Sequence, residues 1–171
     1  MSKIFYAILL IVAPGIMLAQ KRSVADTLLD RLTGNWILSG IIDGKPVRHS
    51  VTAKWVLGHE YIELKETSDE KKADGRPQYD AIVFICYNTD SRQYDCLWLD
   101  NTSDKGLSNG IIAHGEYKPN LVTLLFKFSE KITFHTTFTL DANEDRWHWK
   151  MESEESGKFE PFADALMTKT Q

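Results

Sequence analysis

From residue 35 to residue 168 the chain is a succession of β-rich runs punctuated by turn residues, and this pattern limits its fold more than any other feature. The runs are 35–42, 51–57, 61–67, 79–87, 93–100, 111–117, 121–128, 132–140, 146–153 and 159–168. They are rich in Val, Ile, Thr, Phe, Tyr and Trp, residues that suit a pleated, half-buried surface. Between them stand Asp43-Gly44-Lys45, Gly58-His59, Pro119-Asn120, Ser129-Glu130-Lys131, Ser156-Gly157-Lys158, and the polar stretches 68–78, 88–92, 101–110 and 141–145. These residue types make turns and loops. No helical periodicity separates the runs, so a parallel α/β sheet, which needs helical crossovers, is excluded. A long antiparallel meander leaves two open edges unless it closes on itself. The pattern therefore predicts an all-β, antiparallel up-and-down barrel of about ten strands, with a two-sheet sandwich as the alternative.

One helix precedes it, over 23–34. Ser23 can cap its first turn with Asp26 three residues on. Leu28, Leu29 and Leu32 share a face, and Gly34 can stop it. Further upstream, Lys3 is followed by ten apolar residues (4–13), then Pro14-Gly15, then Met17-Leu18-Ala19. That is the layout of a secretory signal peptide. The run is too short, and broken too early, for a membrane span of ~20 residues. The reading divides the chain into a signal peptide, 1–19, and a barrel domain, 20–171. It places the protein in the periplasm or outside the cell, with no stable membrane anchor after cleavage. Removing 1–19 takes one cation, Lys3, and moves the net charge from −4 to −5. An acidic chain lacks the basic footprint of a nucleic-acid binder. With 43% apolar and 26% charged residues, it is neither disordered nor a multi-span membrane protein.

An oxidising compartment permits a disulfide, and Cys86 and Cys96 lie on two arms of one expected hairpin. A turn centred on Asp90-Ser91 sets them on opposite faces; a loop centred on Ser91 sets them opposite each other. Two buried free thiols are the simpler reading, and two Cys without a neighbouring His are too few for a structural zinc.

Alternation sorts the aromatic residues onto faces that can point inward. Trp36, Leu38 and Gly40 share one; Tyr94, Cys96, Trp98 and Asp100 another; Phe134, Thr136 and Phe138 a third; Trp147, Trp149 and Met151 a fourth. They can line a pocket or fill a core. Polar residues near them decide which: Asp100, His114 with Glu116, and Glu66 on the Ile62/Leu64 face. Taken singly, each reads as a solvated rim position, because a carboxylate is almost never fully buried unpaired. His135 falls opposite the phenylalanines, on the outside.

The segment Leu32-Thr33-Gly34-Asn35-Trp36 resembles the Gly-x-Trp opening of calycin and lipocalin-like families. The stretch 86–94 is similar to the Gly-Tyr-Asp-Pro hairpin of a bacterial lipocalin-like family of unknown function, with Cys86 and Asn88-Thr89 standing where that family has Gly and Asp-Pro. Trp98-Leu99-Asp100, Phe138-Thr139-Leu140-Asp141 and 157–162 also look like that family's pattern. The resemblance runs from about Leu28 to Met167 and implies a lipocalin-like barrel. More distantly, ten-stranded nitrobindins bind heme through a His near the C-terminal strand; here 159–168 contains no His.

No nucleophile elbow, P-loop, His-Glu-x-x-His or Cys-x-x-Cys occurs. The reading assigns no catalytic residue, no metal and no cofactor. It expects an exported barrel that holds a small hydrophobic or amphipathic molecule, with Trp36, Tyr94, Trp98, Asp100, His114, Trp147 and Trp149 as ligand-binding residues. The alternatives are a lipocalin-like isomerase or hydrolase working through Asp100 and His114, and a filled barrel that binds another protein through its outer surface.

Overall fold

Asp43 and Gly44 both adopt left-handed backbone (φ 49° and 70°), and Ile42 pairs with Lys45 across them. Two left-handed residues make the tight turn whose twist matches the strands it joins. The same device returns at Ser156-Gly157 (φ 52° and 78°), where Glu155 faces Lys158. Turns of this kind keep each strand beside its sequence neighbour. The structure, a computed structural model, describes residues 24–102 and 111–170, with side chains from residue 27 onward. The expected signal peptide, the capping side chains Ser23 and Asp26, and residues 103–110 of the expected loop lie outside this description.

A helix, α1 (Val24–Asp30), leads into ten strands: β1 (Gly34–Ile42), β2 (Lys45–Val56), β3 (Tyr61–Ser68), β4 (Asp80–Asn88), β5 (Gln93–Asp100), β6 (Ile112–Lys118), β7 (Leu121–Lys127), β8 (Ile132–Asp141), β9 (Arg146–Glu155) and β10 (Lys158–Lys169). Every strand is antiparallel to its neighbours, and β1 pairs with β10 to close the barrel. This is the expected meander, and the sandwich alternative falls. Closure leaves no edge strand exposed.

One end of the barrel is stoppered. Leu29 and Leu32 are fully buried there. The helix ends at Asp30, earlier than the expected stop at Gly34. The next residues tighten instead: the backbone N–H groups of Arg31, Leu32 and Thr33 bond to the carbonyls of Leu28, Leu29 and Asp30. This aims two carbonyls at the wall. Leu32 accepts from Trp36 Nε1 (2.7 Å), and Arg31 from Trp147 Nε1 (3.2 Å). Gly34, at φ 130°, then swings the chain into β1, a conformation L side chains rarely adopt. The Arg31 guanidinium and the Lys169 ammonium both bond Asp145 (2.6 and 2.9 Å), holding its carboxyl below the usual range. Lys169 Nζ also lies 5.1 Å from the centre of the Trp36 ring.

The β4–β5 hairpin decides the cysteine question. Ile85 faces Cys96 and Cys86 faces Asp95, so the two thiols point to opposite sides of the wall and both are free. A loop centred on Ser91, which would have paired them, is excluded. Cys96 is buried inside. Cys86 is only half-buried, correcting the expectation that both thiols are buried. It lines an outer apolar groove of about 310 Å³ with Leu57, Tyr61, Phe84, Leu97 and Ile112. Burial and the nearby Asp95 carboxylate push the Cys86 thiol up, and burial pushes Cys96 up further. The thiolate is the reactive form. The native protein should therefore stay a dithiol under air. Cys86 should alkylate more slowly than glutathione at pH 8, and Cys96 only after unfolding, as intact mass after timed iodoacetamide treatment will report.

Candidate functional site

Interior-facing apolar side chains form one continuous buried cluster. In the half nearer α1 they form a solid core: Trp36, Val51, Ile62, Ile85, Tyr94, Val122, Leu124 and Trp147 are all 1% exposed or less. Both tryptophans there spend their N–H groups on the carbonyls of the turn that follows α1. Tyr94 packs edge-on against Tyr87. Trp36, Tyr94 and Trp147, expected at the ligand, are thus core residues.

The far half carries polar chemistry. His49 on β2 and Glu66 on β3 both face inward, 5% and 2% exposed. His49 Nδ1 lies 2.5 Å from Glu66 Oε1. Glu66, expected at a solvated rim, is instead buried with a partner, which is what makes a carboxylate tolerable at that depth. Tyr79 stacks on His49, with ring centres 5.6 Å apart and planes inclined by 21°. It is held by a continuation of the β3–β4 ladder. The Ser68 N–H bonds the Tyr79 carbonyl, and the Tyr79 N–H bonds the Ser68 hydroxyl, both at 2.9 Å. The stretch expected as a plain polar loop, 68–78, therefore folds back as a small hairpin, with a Lys71–Pro77 bridge near its tip.

The Tyr79 hydroxyl accepts the Trp98 Nε1–H at 2.9 Å. Burial, with Glu66 and Asp100 nearby, pushes this phenol far above its ordinary value, against the opposing effect of the Trp98 bond. It keeps its proton at any physiological pH. Trp98 in turn stacks on Trp149 (5.9 Å, 21°), and Trp149 on Phe138 (6.2 Å, 14°), while Phe126 meets Trp98 edge-on. A chain of touching rings thus crosses the interior from β2 to β8.

Among the described residues, two polar atoms in this region are buried without a partner, Thr136 Oγ1 and Trp149 Nε1. A buried donor left unbonded costs about 1–3 kcal/mol. Such atoms are uncommon and call for an explanation.

Of the expected ligand-binding residues, the structure gathers Trp98, Asp100 and Trp149 in this far half. Asp100 ends β5 half-buried, its Oδ1 accepting from the Thr102 N–H (2.8 Å) and hydroxyl (2.5 Å). His114 is elsewhere. It stands on the outer wall, its side chain 61% exposed, bonded to Asp95 at 2.7 Å. Adjacent positions on a strand point to opposite faces, and β6 turns Ala113 and Gly115 inward, so His114 and Glu116 must face out. Asp100 and His114 therefore do not converge. Sequence reasoning missed His49 because it began the second strand at Val51; carrying the alternation back through Val47 and His49 would have placed it inside. His135 is outside as expected, bonded to Glu154 at 2.7 Å. Among the described residues no cluster of His, Cys, Asp and Glu could hold a metal ion, and no helix is long and apolar enough to cross a membrane.

No family model matches the chain, and no curated protein matches it. Among solved structures it is similar to the crystal structure of Rv2717c from M. tuberculosis, with a TM-score of 0.58 and 12% sequence identity over 87% of this chain and 99% of that one. At that identity the likeness concerns the fold alone: a closed antiparallel barrel of ten strands.

Proposed function

We propose that this chain is an exported, lipocalin-like binding barrel that takes one small amphipathic molecule into the half of its interior remote from α1. The observation that carries the reading is the pair of buried, unbonded groups, Thr136 Oγ1 and Trp149 Nε1. An indole N–H only donates, so the molecule must bring an acceptor oxygen to it. The rings of Trp98, Phe126 and Phe138 offer the apolar surface for the rest. The half-exposed Trp98, Met151 and Phe134 support entry from this end, because interior side chains there keep solvent contact. Export rests on the N-terminal pattern of residues 1–19.

The test titrates tryptophan emission with farnesol, retinol, oleic acid and 2-naphthol. At least one should quench saturably. Trp149→Phe, with Thr136→Val alongside, should weaken that ligand about tenfold, the worth of a lost hydrogen bond in a dry site. Absence of saturable quenching by every member of the panel would remove the reading.

A further inference from the structure

The buried His49–Glu66 pair has no part in the reading above, and its geometry says what the bound molecule carries. An ionised carboxylate only accepts hydrogen bonds, so with Glu66 ionised the bond to its Oε1 is donated by His49 Nδ1–H. In the tautomer with its proton on Nδ1, the second ring nitrogen, Nε2, presents a lone pair. It has no hydrogen-bond partner among the described residues. Stacking on Tyr79 and the bond to Glu66 fix the ring plane from two directions, so this acceptor is oriented in advance.

The charges around it narrow the partner. Glu66 and Asp100 both lie on interior-facing positions of this half, and no Lys or Arg is buried among the described residues. An anionic head group would meet two carboxylates and no fixed cation. A cationic one would leave the Trp149 N–H without its acceptor. A neutral group that donates at one end and accepts at the other satisfies both. The surface between is aromatic from Tyr79 through Trp98 to Trp149, which favours a flat ring over an alkyl chain.

We infer that the ligand is a neutral, flat aromatic molecule bearing a hydroxyl, and that His49 Nε2 accepts that hydroxyl's hydrogen bond. The inference rests on the binding reading above and narrows it to a ligand class.

The experiment compares 2-naphthol with 2-methoxynaphthalene, which has the same rings and no donor, by quenching of tryptophan emission in the full chain at pH 7.5. The parent should prefer 2-naphthol about tenfold. In His49→Phe the preference should shrink to less than twofold while both compounds still bind. Glu66→Gln supplies a second variant should His49→Phe fail to fold. An amide both donates and accepts, so it no longer fixes the proton on Nδ1, and the preference should fall at least threefold. Equal binding of the two naphthalenes to the parent, or a preference that survives in the variants, overturns the His49 assignment and leaves the binding barrel standing. No saturable quenching by either compound, with farnesol or retinol still binding, overturns the aromatic class. Failure of all four and of oleic acid overturns both readings.

Discussion

Gly115→Ala should yield no folded barrel. A Cβ at this position would sit 1.5 Å from the Thr123 carbonyl oxygen and 2.6 Å from its carbon, and both are backbone atoms of the neighbouring strand. No side chain can rotate away to make room, so β6 and β7 would have to part. The loss should exceed about 4 kcal/mol, at the far end of what point substitutions do and a large share of a total of roughly 5–15 kcal/mol. Gly40→Ala should behave alike, with its Cβ 2.2 Å from the Asp164 carbonyl oxygen across the closing seam. Gly44→Ala is the control. It is left-handed but has nothing within 4 Å, so it should cost only about 1–2 kcal/mol, the backbone penalty alone. Circular dichroism melts of the three variants read the difference. A Gly115→Ala protein that melts within a few degrees of the parent would mean that β6 and β7 do not approach this closely.

Trp147→Ala should cost about 3–5 kcal/mol, whereas Trp149→Phe, two residues away on the same face, should leave stability nearly unchanged. Trp147 is fully buried and its N–H is bonded to Arg31, so truncation opens a void and orphans a carbonyl. Trp149 keeps an unbonded N–H. Phe removes that cost of about 1–3 kcal/mol while losing part of the stacking on Trp98 and Phe138. Urea denaturation without ligand separates the cases, with Trp147→Phe as the matched substitution, expected to lose about 1–3 kcal/mol through its spent hydrogen bond and ring packing. Equal losses for Trp147→Phe and Trp149→Phe would erase the distinction between a filled half and a binding half.

The architecture was legible because every strand alternates and every connection is chemically marked. Asp43-Gly44 and Ser156-Gly157 announce tight turns, and the inward sets of Trp36, Trp98, Phe138 and Trp147 follow from a period of two. The site was only half legible. Alternation puts Trp98 and Trp149 on inner faces, but it cannot tell which level of a barrel is packed solid. That depends on α1 and the turn after it, whose Leu29 and Leu32 fill one end and make Trp36 and Trp147 structural. Glu66 was seen in phase with Ile62 and Leu64, yet its depth is tolerable only through His49, 17 residues away. A partnership between strands is set by register, which the sequence of either strand alone does not contain. His114 was misplaced for the complementary reason: the inward phase of β6 is carried by the small residues Ala113 and Gly115, which give a weak hydrophobic signal.

The order of the strands bears on how the cylinder assembles. Nine of its ten pairings join sequence neighbours, and only β1 with β10 joins residues more than a hundred positions apart, such as Trp36 with Lys169. Hairpins can therefore zip up along the chain with little loop entropy at each step, while the final pairing must draw the two extremities together across nearly the whole domain. A chain with every pairing but this one would be a curled open ribbon with two unprotected margins, β1 and β10, each a template for another copy. Crowded synthesis would endanger the protein at that stage, when Gly40 has yet to meet Ala165.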